Sequence, residues 1–204
     1  MLLTALTGAL MAISFSAPPG PVALETLRRG LRGGFRPALQ VQLGSIIGDV
    51  TWCALALLGL APLVQVAWVR VLLSVAGVAV LVYLGAAGIR EALTSRPAAT
   101  EAKAAPAHGA FRSGLAISMA NPMAVGYWLS VGGALVAAGV AGATAGQTAS
   151  FISGFIGGTL AWAFVMALAV RWGRVLMTPR VFRWVNLGCS AALLVFGVAL
   201  ALAM

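Results

Sequence analysis

Apolar residues run without a charge over 2–24, 71–89 and 184–204. The stretch 113–170 is another such run, long enough for two membrane crossings, and 37–69 is interrupted by Asp49 alone. A helix rises about 1.5 Å per residue and needs about 20 apolar residues to cross a bilayer core. The pattern therefore predicts an all-α integral membrane protein. Its six spans are expected near 2–26, 37–61, 68–91, 111–137, 147–170 and 181–203.

Composition agrees with that class: 61% of the 204 residues are hydrophobic and 8% are charged, against about 25% charged in a soluble domain. The net charge of +9 would suit nucleic acid, but its distribution argues against that partner. Arg28, Arg29, Arg32 and Arg36 lie between spans 1 and 2, and Arg90, Arg96, Lys103 and Arg112 between spans 3 and 4. Arg171, Arg174, Arg180 and Arg183 lie between spans 5 and 6, which leaves Arg70 alone in the remaining loops. Positive loops face the cytoplasm, so both termini are expected outside, with the basic loops touching anionic lipid.

The first apolar run lacks a basic leader and ends in Pro-Pro-Gly-Pro, so it reads as a retained span and not a cleaved signal. Cys53 and Cys189 fall inside spans and read as small core residues. His108 falls in a polar loop, and no metal cluster is expected. Nothing resembles a Ser/His/Asp set, a phosphate loop or paired catalytic carboxylates. An enzyme and a bound cofactor are therefore not expected.

The Ala- and Pro-rich segment 94–109 reads as a cytoplasmic linker. It separates a first unit of three spans, 1–93, from a second, 110–204. An odd number of spans per unit inserts the second the other way up, as inverted repeats require. Two similarities support the repeat. Span 1 is interrupted by Pro18-Pro19-Gly20-Pro21, and span 4 by Asn121-Pro122 about 102 residues later. Gly44, Gly48 and Trp52 recur every four residues in span 2, as do Gly154, Gly158 and Trp162 in span 5, 110 residues on. Glycines four apart allow close helix packing.

The breaks carry the first candidate chemistry. Proline cannot donate to the carbonyl four residues back, so Pro122 frees that of Ser118, and Pro18, Pro19 and Pro21 free those of Ser14, Phe15 and Ala17. Pro21 is a favoured first helical position. A helix starting there would turn the N–H groups of Val22, Ala23 and Leu24 toward a cavity suited to a carboxylate. Asp49 is the one acidic residue deep in a span. It lies thirteen residues after Arg36, roughly 20 Å along its helix, and could share a layer with Asn121. A charge there costs at least ~2.5–3.5 kcal/mol, so Asp49 must be protonated, paired or wet. Either proton coupling or a structural hydrogen bond would keep it. Glu25 precedes Arg28 and Arg29 by three and four residues, which suits ion pairs at the cytoplasmic interface. One turn past the break, it is also a candidate gate. Ser14, Ser16, Ser45, Ser118, Asn121 and Tyr127 could line a path.

Ala17-Pro18-Pro19-Gly20-Pro21 followed by the segment 29–36, Arg-Gly-Leu-Arg-Gly-Gly-Phe-Arg, resembles the opening of the LysE/RhtB amino-acid exporter family. Leu43-Gly44-Ser45-Ile46-Ile47-Gly48-Asp49 and Phe111-Arg112-Ser113-Gly114-Leu115 leading to Asn121-Pro122 resemble it too. Met123 stands where many members carry lysine. The resemblance implies six spans, an inverted repeat and a bacterial inner-membrane location. It also implies proton-driven efflux of an amino acid or a similar small zwitterionic or cationic metabolite. The partners it implies are the substrate, protons and membrane lipid, and it leaves a homo-oligomer open. A metal-ion exporter of the wider superfamily and a non-transporting membrane scaffold are the alternatives.

Overall fold

A computed structural model describes residues 1–57, 66–94, 107–121, 127–128, 144–175 and 178–202. Among these there are seven long helices and no strand: α1 Leu2–Ser16, α2 Pro21–Gly33, α3 Phe35–Leu57, α4 Ala67–Thr94, α5 Ala107–Met119, α6 Ala145–Val175 and α7 Pro179–Leu202. Three stretches, Val71–Arg90, Ala145–Val175 and Arg180–Leu202, are long and apolar enough to cross a membrane. The pair α1 and α2, bent by 74°, makes a fourth if it counts as one span. The chain is a multi-pass membrane protein. With 23 residues, α3 is about 35 Å long, but Gln40, Gln42 and Asp49 lower its hydropathy.

Several boundaries differ from those the pattern predicts. The first span was expected to end near residue 26, yet α2 continues to Gly33. Arg28, Arg29 and Arg32 are therefore helical, because Glu25 pairs with the first two along the helix. The helix stops at Gly34, whose φ of 81° is a left-handed conformation that glycine adopts without strain. His108 and Gly109, read as loop, belong to the first turn of α5. Residues 95–106 of the expected linker lie outside the described residues, as do 58–61, 122–126 and 129–137 of the expected spans and Arg96, Lys103, Pro122 and Met123. α6 runs on past the apolar stretch to carry Arg171, and its last turn carries Arg174.

Helices pair between the two expected units, α1 with α6, α3 with α5 and α4 with α7, while α2 lies among α3, α5, α6 and α7. Glycine makes the first two pairings possible. A Cβ on Gly44 would overlap the carbonyl of Phe111, and one on Gly114 that of Val41, so α3 and α5 touch backbone to backbone. A Cβ on Gly154 would overlap the carbonyl of Ala5, and one on Gly8 that of Phe151. Adding 106 to the α1 positions and 110 to the α3 positions converts one set of contacts into the other. One layer further, Gly48 abuts Ser118 and Gly158 abuts Ala12, related by the same two offsets.

The basic segments converge on one end of the bundle. The Arg174 guanidinium comes within 3.0 Å of where a Cβ on Gly34 would stand, and that of Arg29 within 3.5 Å of the same position on Gly109. At the other end, the Sδ of Met1 accepts from the Ser150 hydroxyl at 3.1 Å.

Candidate transport site

Both helix breaks reach one cavity. α1 ends at Ser16 and its last N–H bond runs from Ala17 to the Ile13 carbonyl at 2.8 Å. After an extended Gly20, α2 starts with Pro21 in its first turn. α5 ends at Met119, and Asn121 stands outside it, its N–H donating to the Ser118 carbonyl at 3.3 Å. Pro21 and Asn121 together line a small cavity, completed by Gly77, Val80, Leu81, Ile117 and Ala120. Gly77 sets the approach of α4 here, because a Cβ would overlap the Ala120 carbonyl.

The groups expected at the first break divide. Pro21 lines the cavity, whereas Pro18 and Pro19 are exposed and Gly20 is half-buried at the elbow. The N–H of Leu24 donates to the Gly20 carbonyl at 3.0 Å, so it is closed to a ligand. With Pro21 as the first helical residue, Leu24 is already the fourth and takes the first ordinary helical bond. The N–H groups of Val22 and Ala23 belong to the first turn, which has no helical acceptor.

Asp49 is buried but does not line the cavity. Its Oδ1 accepts from the Ser118 hydroxyl at 2.6 Å across the α3–α5 seam. That places the carboxylate one turn of α5 from Asn121, in the layer expected for it. The carbonyl of Ser118 accepts from the Trp52 indole at 3.3 Å. This partner removes the cost of an unmet carbonyl at membrane depth.

Glu25 forms both expected ion pairs, and forms them buried within the bundle. Arg28 Nε and Nη2 donate to its two oxygens at 2.8 and 3.0 Å, and Arg29 Nε also donates to it. Its side chain is fully buried and that of Arg28 is 5% exposed. The reason is the extension of α2, which carries these residues into the bundle. Close by, Gln42 donates to Thr26 at 2.9 Å. Of the other polar candidates, Ser45 bonds the Gln42 carbonyl, Ser14 is exposed, and Ser16 is half-buried.

On the side away from the basic end, Phe15 stacks near Tyr127 with centroids 4.6 Å apart, and Trp128 meets Phe155 edge-on at 5.1 Å. The Tyr127 hydroxyl reaches the Met11 carbonyl at 3.5 Å. Of this aromatic cluster only Tyr127 was expected on the path, and the packing roles of Gly8, Gly77 and Gly114 and the burial of Asn186 were not foreseen. Asn186, an amide in the charge-free run 184–204, was the one visible signal among them.

The LysE type translocator model matches residues 13–204. The chain belongs to the LysE type translocator family. It is 44% identical over 174 residues to the chemotactic transduction protein ChpE of Pseudomonas aeruginosa, covering 85% of each chain. It is 32% identical over 136 residues to the threonine efflux protein of Escherichia coli K12, covering 64% of this chain and 66% of that protein. To the leucine efflux protein of Klebsiella pneumoniae it is 31% identical over 131 residues, covering 63% and 59%. No solved structure matches the chain. Among the described residues of this LysE type translocator, no group of three or more His, Cys, Asp or Glu could hold a metal ion.

Proposed function

We propose that the chain is a secondary active transporter exporting an amino acid, or a similar small zwitterionic or cationic metabolite, from the cytoplasm across a bacterial inner membrane. The observation that carries this reading is a cavity bordered by both helix breaks, at Pro21 and Asn121, in a chain of a translocator family. The names of the threonine and leucine efflux relatives support it.

The substrate carboxylate binds at the Val22 and Ala23 N–H groups and the Asn121 side chain, at the positive end of α2. Pro18, Pro19 and Gly20 act as the elbow that separates the half-helices. Asp49 carries the coupled proton, and Ser118 relays its state to α5 and the cavity wall. Glu25 gates the basic side. Six spans arranged as inverted repeats, 1–93 and 110–204 around a cytoplasmic linker at 94–109, are favoured by the two seams related by constant offsets. Gly44, Gly48, Gly154 and Gly158 serve those seams. Because each seam joins the two units, alternating access moves paired helices from both units, and not one intact unit against the other.

The relative ChpE bears a name from chemotactic signalling, which favours a second reading, a membrane protein that moves no substrate. A metabolite panel separates the two. Cells loaded with dipeptides, with and without the protein, should differ in one or a few extracellular amino acids; identical panels would sink export. A cysteine at Ala104 should resist an impermeant thiol reagent in intact cells while one after Met204 reacts, and the opposite pattern would reverse the topology.

A further inference from the structure

On the basic side of the cavity, the chain buries polar groups for which the central site has no use. Val22 and Leu24 of α2 pack against Leu81, Leu84, Ile117 and Leu193. Leu81 and Ile117 also line the cavity, so this apolar layer closes it on that side. Beyond the layer, on the same helix, Arg28 grips the Glu25 carboxylate at two points. That fork is how a guanidinium holds any carboxylate. The Arg28 guanidinium extends to the α4–α7 seam, where a Cβ on Gly88 would stand 3.1 Å from its Nη1 and overlap the Ser190 hydroxyl. Ser190, fully buried, bonds the Asn186 carbonyl at 2.7 Å. Residues four apart share a helix face, which puts the Asn186 side chain on the face of α7 that meets Arg28. Asn186 is 2% exposed, and its Oδ1 has no hydrogen-bond partner.

A buried acceptor without a donor is costly, and this one lies one helical turn from Ser190, which meets Gly88 together with an arginine already holding a carboxylate. We propose that Arg28 and Asn186 form a second substrate site, between the basic surface and the central cavity. The carboxylate of an α-amino acid replaces Glu25 on Arg28, and its ammonium group donates to Asn186 Oδ1. The inference rests on the export reading above and names the place where the substrate loads. Exchange at Arg28 also releases Glu25 from the helix that carries Val22 and Leu24, so occupation of this site loosens the apolar layer next to it.

The test measures uptake of each of the twenty protein amino acids in membrane vesicles of both orientations, at matched amounts of folded protein. Wild type is compared with Asn186→Leu, which removes the acceptor at similar volume, and with Glu25→Gln, which weakens the competitor for Arg28. For whichever amino acid wild type moves, Asn186→Leu should raise KM about tenfold, the worth of one hydrogen bond to a charged group. That rise belongs to the face bearing the basic end, with kcat little changed and KM from the other face unaltered. Glu25→Gln should lower KM from the basic face. A structural role alone would reduce folded protein or kcat and would not shift KM in opposite directions. Should the leucine variant fail to fold, Asn186→Ser shortens the side chain out of reach and carries the same expectation. Unchanged KM from the basic face in both variants overturns the second site and leaves export standing. A wild-type protein that moves none of the twenty overturns the second site and the amino-acid form of the export reading.

Discussion

The seam between α3 and α5 and the seam between α1 and α6 share one packing skeleton and differ in chemistry. In each, glycines let a helix backbone rest on the carbonyls of its partner, at Phe111 and Val41 in one and at Ala5 and Phe151 in the other. The 106 and 110 offsets match Ser118 with Ala12, Asp49 with Thr159 and Trp52 with Trp162. In the first seam Asp49 reaches across to Ser118, and Trp52 caps the Ser118 carbonyl. In the second, Thr159 bonds only carbonyls of its own helix, those of Phe155 and Ile156, both at 3.0 Å. Facing it, Ala12 offers no polar group. The comparison teaches that packing and chemistry are separable here. Small residues build both seams, and a titratable group crosses only one of them.

The sharpest way to break this comparison is to remove the chemistry from each seam. Asp49→Asn keeps the shape and a partner for Ser118, so the protein should insert and fold while uphill efflux disappears. Thr159→Val, at the matching position, should leave uphill efflux intact. Proteoliposomes with an imposed pH gradient read both. Full uphill transport by the asparagine variant would remove Asp49 from the mechanism, and surviving exchange of labelled for unlabelled substrate would assign it to the proton.

Next in size are the glycines, where the seams should behave alike. Over-packing a tight contact costs typically about 1–3 kcal/mol and occasionally more, and here the obstruction is backbone. Gly44→Val and Gly154→Val should each therefore lose most of the folded protein on size-exclusion chromatography of detergent extracts. Gly157→Ala and Gly188→Ala, whose added Cβ meets nothing within 4 Å, should elute as wild type. A folded Gly44→Val protein would mean that the α3–α5 seam has slack that the α1–α6 seam lacks.

The tryptophans give the smallest contrast. Trp52→Phe removes one of the two donors to the buried Ser118 carbonyl, leaving the Asn121 N–H, and should cost about 0.5–1.5 kcal/mol, the net worth of one hydrogen bond. Trp162 is half-buried, and Trp162→Phe should stay within about 0.5 kcal/mol of wild type, as surface changes do. Denaturation followed by circular dichroism would rank the pair. Equal losses would show that indole volume, and not the bond to Ser118, holds this layer.

Local chemistry made the membrane class, the helices and the first break readable from the residues alone. Twenty apolar residues without a charge have few fates, and three prolines within four positions cannot keep a helical ladder. The position of Asp49 along its helix was readable for the same reason, since rise per residue converts a position into a distance. Its partner was not, because Ser118 is 69 positions away and reaches it only through helices paired between the two units. Glu25 shows the same limit. Its pairs with Arg28 and Arg29 follow from helical spacing, but its complete burial depends on where α2 turns after the elbow. The cavity belongs wholly to the tertiary structure: Pro21 and Gly77 come from two helices and Asn121 from just past the end of a third, and no local pattern records that they meet. Backbone chemistry acts between neighbours in the chain and is written in order along it, whereas the site is made by packing, which joins residues that the sequence keeps far apart.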